Sequence, residues 1–149
     1  MTSKADFSEQ EWKVVLEGPP AAGMIVATAQ HGGTFREAFT IGKAYVDARK
    51  EHGASELLDE IVSARPEIDR TRYSSPQELK DHGLQHLRDA VELLERKGTP
   101  DEVEEYRRFV LTLAHKVASA HREDGAEVSE AERAAMEEIK AALDGPGRQ

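Results

Sequence analysis

The chain has 149 residues, no cysteine and a net charge of −9, with 38% hydrophobic and 33% charged residues. The lack of cysteine excludes disulfides, thiolate metal sites and cysteine nucleophiles, and the acidic balance argues against nucleic-acid partners and anionic membrane surfaces. The length suits one domain over residues 1–149, ordered over about 7–143 with a loose tail at 144–149. The polar start has no signal-peptide pattern and no apolar run is long enough for membrane insertion, so we expect a cytoplasmic protein.

Five helix starts are marked by a Ser or Thr that is followed three residues later by Glu, just before a periodic apolar run. In this capping box the hydroxyl accepts a hydrogen bond from an amide of the first turn, and the Glu carboxylate accepts one from the amide of the Ser or Thr. The pairs are Ser8–Glu11, Thr34–Glu37, Ser75–Glu78, Thr99–Glu102 and Ser129–Glu132. They predict where helices begin, and they carry no information about function.

In chain order, the first helix begins at Ser8, where Phe7 and Trp12 add a hydrophobic staple to the capping box. It is expected to stop at Gly18-Pro19-Pro20, because proline has no amide hydrogen with which to continue a helix. A second helix, rich in small residues, is predicted over about 20–30. We expect it to be buried in the core, and a ligand groove lined by its small residues is the alternative.

Two further helices are predicted before the middle of the chain. One runs from Thr34 to Gly53 with an apolar stripe that includes Tyr45 and Val46. A short one begins near Ser55 and ends before a proline at residue 66, after which the longest connection follows.

Three longer helices are predicted in the C-terminal half. The first begins at Ser75 and stops at Gly98, the second runs from Thr99 to about His121, and the last begins at Ser129. No window shows the alternation of a strand. The sequence therefore predicts an all-α fold, an irregular bundle of six or seven helices. Similar patterns over 7–31 and 100–121 leave open a degenerate duplication of helix pairs.

His82, His86 and Asp89 lie on one face of a predicted helix, at spacings of four and seven residues. A helix offers two imidazoles and a carboxylate to a metal ion in this way. The metalloprotease pattern HExxH is absent, because Gly83 follows the first histidine. The alternative is a boundary histidine half-covered by the core, because His86 borders an apolar stripe that includes Leu87.

A second candidate metal site lies at the start of the last loop. His121 continues the apolar stripe of its helix and opens an acidic segment that contains Asp124 and Glu127. These three side chains, beside the positive N-terminus of the last helix, suit an oxygen-rich cation site. A polar loop with a hydrogen-bonded histidine is the alternative.

The basic residues Arg65, Arg70 and Arg72 form a cluster in the longest connection. Guanidinium groups bind phosphate or carboxylate through paired hydrogen bonds, so the cluster is a candidate anion site. The alternative is a set of solvated side chains near a helix end. Motifs of nucleotide-binding enzymes and hydrolases are absent from the chain, and we assign no catalytic residue.

The stretch 107–143 has an apolar helix, then Asp124-Gly125, then Val128-Ser129 and Glu132 at the opening of a further helix. In this it resembles the TerB-like (tellurite-resistance) helical family. The chain departs from the family pattern in the residues 121–123 that precede Asp124, and in one extra residue between Gly125 and Val128.

The resemblance implies an all-helical cytoplasmic bundle linked to stress or metal-ion response, without enzymatic activity. It assigns cation binding to Asp124 and Glu132, although Glu132 also has a structural role in its capping box. We therefore predict a non-enzymatic TerB-like stress-response or binding module. A divalent cation is its suggested ligand, and no cofactor is required. The alternatives are a module that binds a protein partner or forms a homodimer, and a metal-dependent enzyme that uses His82 and His86.

Overall fold

The computed structural model describes residues 4–29, 41–47, 56–63, 75–123 and 130–144. The helices are α1 (Glu9–Ala29), α2 (Glu56–Ser63), α3 (Pro76–Lys97), α4 (Pro100–Glu123) and α5 (Glu130–Asp144), with a 3-10 turn at Lys4–Asp6 before them. Residues 41–47 are also helical. No strand occurs in these ranges, so the predicted all-α class is confirmed for them, while a total of six or seven helices stays a prediction, as does the duplication.

α1 corrects the prediction of two separate N-terminal helices. Pro19 and Pro20 lie inside one continuous helix. A proline in a helix interior leaves the carbonyl four residues earlier without its usual donor, and for Pro19 this carbonyl belongs to Val15. The Val15 oxygen instead accepts a hydrogen bond of 2.7 Å from the buried hydroxyl of Tyr106. A donor from α4 thus replaces the missing bond, and the helix continues.

In the second half of α1, side chains of neighbouring helices pack directly against the small residues. A Cβ atom added at Gly23 would lie 2.8 Å from side-chain atoms of both Ile41 and Leu113. A Cβ atom added at Gly83 on α3 would lie 2.8 Å from Cδ1 of Ile25. Neighbouring side chains therefore fill the space beside the small residues, which confirms the predicted core helix there and leaves the alternative ligand groove without room at these positions.

Two capping boxes form with both of their predicted hydrogen bonds. At the start of α1 the Ser8 amide donates to the Glu11 carboxylate at 2.8 Å, and the Glu11 amide donates to the Ser8 hydroxyl at 3.1 Å. At the start of α4 the corresponding distances for Thr99 and Glu102 are 2.8 and 3.2 Å. The boxes that fall outside the described side chains are Thr34–Glu37 and Ser129–Glu132.

α3 begins and ends where the sequence predicts. The hydroxyl of Ser75 accepts a hydrogen bond of 3.1 Å from the amide of Glu78. At the other end the amide of Gly98 donates to the carbonyl of Leu94 at 2.6 Å. The first turn and the last turn of α3 are therefore both capped, which fixes the register of the helix that carries His82 and His86.

The core lies among α1, α3 and α4. α1 packs most extensively against α3 and next against α4, and α5 covers all three. The largest fully buried side chains are Tyr45, Tyr106, Ile25, Ile41, Leu57, Ile61, Leu87, Leu94, Leu113, Ile139 and Leu143. No helix of the described part is long and apolar enough to cross a membrane.

The buried side of the helical residues 41–47 agrees with the predicted stripe at Tyr45 but not at Val46. Ile41, Ala44 and Tyr45 are buried, whereas Val46 is 41% exposed. The buried positions follow steps of three and one residues, which is a narrow helical stripe. Because Val46 is apolar, the sequence pattern alone did not distinguish it from its buried neighbours.

Polar contacts also join the outer faces of the helices. α3 is linked to α5, residues 41–47 to α4, and α4 to the end of α5. The ion pairs are Lys80–Glu138 at 2.7 Å, Lys116–Asp47 at 3.1 Å and Arg107–Asp144. The first two pairs are partly exposed, and such pairs contribute about 0–1 kcal/mol each, whereas the Arg107 side chain is only 18% exposed. The fold therefore rests mainly on its apolar core.

Candidate functional site

His86 on α3 is in contact with a carboxylate of α1. Its Nε2 atom lies 3.1 Å from Oε2 of Glu17, and the two side chains are 29% and 13% exposed. This agrees with the prediction that His86 borders the apolar stripe, since Leu87 beside it is fully buried. A metal ion that used this Nε2 as a ligand would have to displace the contact with Glu17.

The other two members of the predicted α3 metal site are exposed. His82 lies one turn before His86 on the solvent side of the helix. A carboxylate oxygen of Asp89 accepts a hydrogen bond of 2.9 Å from the side-chain amide of Gln85. Across the described ranges, no three His, Asp or Glu side chains are grouped closely enough to hold a metal ion. Metal binding by His82, His86 and Asp89 thus stays a prediction from spacing.

Glu17 is the residue that sequence reasoning missed at this position. The Glu17 side chain is largely buried between α1 and α3, with Lys13 Nζ 3.9 Å from its other oxygen. The available signal was its place directly before Gly18-Pro19-Pro20. The expected stop at that point placed Glu17 at a helix end, where a solvated carboxylate is ordinary, so its burial was not foreseen.

The second predicted metal site lies at the connection between α4 and α5. α4 continues to Glu123, two residues past its predicted end, so the backbone of His121 belongs to the helix. Differences of this size are common at helix ends. Asp124 and Glu127 fall in the range 124–129, outside the described residues, as does the side chain of His121. This site stays a prediction.

The predicted anion site cannot be compared with the structure. Arg65, Arg70 and Arg72 all fall outside the residues that it describes. Anion binding by this cluster therefore stays a prediction from the sequence.

Lys97 and Glu11 form a polar contact that ties the N-terminus of α1 to the C-terminus of α3. Lys97 Nζ donates to the Glu11 carboxylate at 2.8 Å and to the Asp6 carbonyl at 2.9 Å. It also lies 5.6 Å from the centre of the Phe7 ring. The hydrogen bond from Lys97 lowers the pKa of Glu11, and the hydrogen bond from the Ser8 amide lowers it further. These contacts hold two helix ends together.

Tyr106 is a buried phenol whose role follows from its surroundings. Burial raises its pKa well above the usual 10.0, and the nearby Tyr45 raises it further. The hydroxyl therefore stays protonated and acts as the donor to Val15, rather than as a base. The pKa of Tyr106 is therefore shifted by core packing. Burial in a core and an active site can shift a pKa in the same way, so this shift does not identify a catalytic group.

No family model, curated protein or solved structure matches this chain.

Proposed function

We propose that the chain, an irregular bundle of six or seven helices, is a non-enzymatic TerB-like stress-response or binding module of the cytoplasm. The observation that bears on the non-enzymatic part of this proposal is the contact of 3.1 Å between His86 and Glu17. A catalytic base or a metal ligand needs a ring nitrogen directed at a substrate or an ion. The carboxylate of Glu17 occupies the Nε2 of His86, which leaves only Nδ1 of this histidine for such a role.

Among the described residues, the groups with clearly shifted pKa values support the same proposal. Glu11 owes its lowered pKa to Lys97 and to its capping box. Tyr106 owes its raised pKa to burial in the core. Shifted pKa values often mark catalytic groups, but each of these two has a complete explanation in the fold.

The ligand that this proposal assigns is a divalent cation at His121, Asp124 and Glu127. The support comes from the sequence, which places one imidazole and three carboxylates, those of Glu123, Asp124 and Glu127, within seven consecutive residues. Carboxylate oxygens are the ligands that Ca²⁺ and Mn²⁺ prefer in proteins, and imidazole suits Zn²⁺. The flanking helices α4 and α5 pack against each other, so the connection joins two anchored ends.

Thermal unfolding with and without added Ca²⁺, Zn²⁺ or Mn²⁺ tests the cation proposal. A ligand that binds the folded state raises its melting temperature, and we expect at least one of the three ions to do so. The rise should disappear in Glu127→Gln. Glu92→Gln is the matched control, since Glu92 is exposed on α3. No shift with any of the three ions would refute cation binding.

Association with a protein partner or with a second copy is the alternative function. Among the described residues Val46 is the large hydrophobic side chain that is exposed, and stable homodimers use broader apolar faces. Light scattering at several protein concentrations tests the homodimer. A monomeric mass at every concentration would argue against it. A metal-dependent enzyme built on His82 and His86 has the least support, because no group of three His, Asp or Glu side chains that could hold a metal ion occurs among the described residues.

A further inference from the structure

α1 contains a break in its own hydrogen bonding at the residues Gly18–Pro20. Neither Pro19 nor Pro20 has an amide hydrogen, so the carbonyls of Val15 and Leu16 lack the donors that a regular helix would supply. Gly18, directly before them, has no side chain to restrict its backbone. Two hydrogen bonds of a regular helix are therefore missing near the centre of α1, although the helix is continuous.

Tyr106 of α4 supplies one of the missing donors. Its hydroxyl reaches the Val15 carbonyl at 2.7 Å, and its side chain is buried. The absence of a side chain at Gly18 makes this approach possible, because a Cβ atom there would overlap the hydroxyl and lie 3.3 Å from Cζ of the ring. A residue 91 positions away thus replaces one of the two hydrogen bonds that α1 lacks.

The two halves of α1 are anchored separately on either side of this break. The first half is held at its N-terminus by the contact of Glu11 with Lys97, and at its end by the contact of Glu17 with His86. The second half is held by close apolar packing, for example of Ile25 against α3. Each half therefore has its own contacts with the rest of the bundle.

We propose that Gly18–Pro20 is a hinge in α1 and that the Tyr106 hydroxyl is the latch that holds it closed. Segments of a protein open locally at places where hydrogen bonds are few, and hinges are short segments that absorb changes of backbone angle. Opening of the latch lets the backbone at Gly18–Pro20 change its angles, so that the helical hydrogen bonds of residues 21–26 open more often while the first half of α1 stays bound to α3. This device is independent of the ligand proposed above.

Hydrogen exchange measured by mass spectrometry tests the hinge in Tyr106→Phe, which removes the hydroxyl and keeps the ring. We expect the amides of residues 21–26 to exchange about tenfold faster than in the wild type, as loss of one buried hydrogen bond implies. Amides of α3 and α5 should change by less than about twofold. Tyr45→Phe, at the other fully buried tyrosine of the described residues, is the matched control and should leave residues 21–26 at their wild-type rate.

Equal acceleration in all helices would show that Tyr106 supports the whole fold and would overturn the latch. No acceleration in residues 21–26 would overturn it as well.

A second variant tests the latch through its acceptor. Pro19→Ala restores the amide that the Val15 carbonyl lacks, so it should return the exchange of Tyr106→Phe toward the wild-type rate. Pro20→Ala is the control, because it restores the donor for Leu16 and should not rescue. If Tyr106→Phe does not fold, Pro19→Ala in the wild-type background should slow exchange in residues 21–26. Rescue by Pro20→Ala, or unchanged exchange in Pro19→Ala, would contradict the proposal.

Discussion

The imidazole of His86 and the carboxylate of Glu17 meet at 3.1 Å between α3 and α1, the two helices that pack together most extensively. Both side chains lie largely out of solvent, so the contact is screened less than a surface ion pair. A histidine with metal-ligand spacing thus serves to join two helices.

Replacing His86 by Ala should destabilise the fold by about 1–3 kcal/mol, because the largely buried Glu17 carboxylate loses this contact. Urea unfolding measures the change. His82→Ala is the control at an exposed position on the same helix, with an expected change within about 0.5 kcal/mol. Equal losses in the two variants would mean that the Glu17 contact contributes nothing.

Gly18→Ala should destabilise the protein by about 1–3 kcal/mol, because the added methyl group overlaps the Tyr106 hydroxyl and forces the core to shift. Gly42→Ala is the matched control. A Cβ atom at Gly42 meets nothing within 4 Å. Because Gly42 is in a helix, Gly42→Ala should raise the free energy of unfolding by up to about 1 kcal/mol. Thermal unfolding of the two variants should therefore show shifts of opposite sign, and a neutral Gly18→Ala would contradict the close approach.

The pH dependence of stability should carry a contribution from Glu11. Its pKa is lowered in the folded state, first by Lys97, so its contribution is present above the ordinary value of 4.5 and is lost as the pH falls through the folded-state pKa. The wild type should melt above Glu11→Gln at neutral pH, and the two should converge as the pH falls from about 5 to about 3. Glu9→Gln, in the same turn, is the control. At neutral pH its melting temperature should differ less from that of the wild type than the melting temperature of Glu11→Gln does. If the difference in melting temperature between the wild type and Glu11→Gln persists at acid pH, it does not come from the contact of the ionised Glu11 carboxylate with Lys97.

Thr99→Ala should lower the free energy of unfolding by about 1 kcal/mol, because it removes the hydroxyl that caps α4. Glu102, the partner in this box, is only 6% exposed, so the loss should be at least as large as that of Ser75→Ala at the exposed start of α3. Chemical denaturation of both variants measures this. A loss of only a few tenths of a kcal/mol at Thr99 would show that the box adds little to stability.

The starts of α1, α3 and α4 could be predicted because capping is local. The residues of a box lie three positions apart, as Ser8 and Glu11 do, and both of their hydrogen bonds form within one turn. The start and stop of α3 follow for the same reason. These signals need no knowledge of what packs against the helix.

The continuity of α1 could not be predicted, because it depends on a donor 91 residues away. From the local sequence Pro19 and Pro20 are strong stop signals, and only the folded chain brings Tyr106 to the Val15 carbonyl. The contact of Glu17 with His86 was missed for the same reason. The spacing of His82 and His86 was visible, whereas the carboxylate that one of them meets belongs to another helix.

Calorimetric titration with Ca²⁺, Zn²⁺ and Mn²⁺ tests the proposed function most directly. It compares the wild type with two double variants: Asp124→Asn/Glu127→Gln at the connection between α4 and α5, and His82→Ala/Asp89→Asn on α3. The proposal predicts saturable binding of at least one ion to the wild type, loss of that binding in the first variant, and wild-type binding in the second. No binding of any of the three ions to the wild type, or loss of binding in the α3 variant alone, would contradict it.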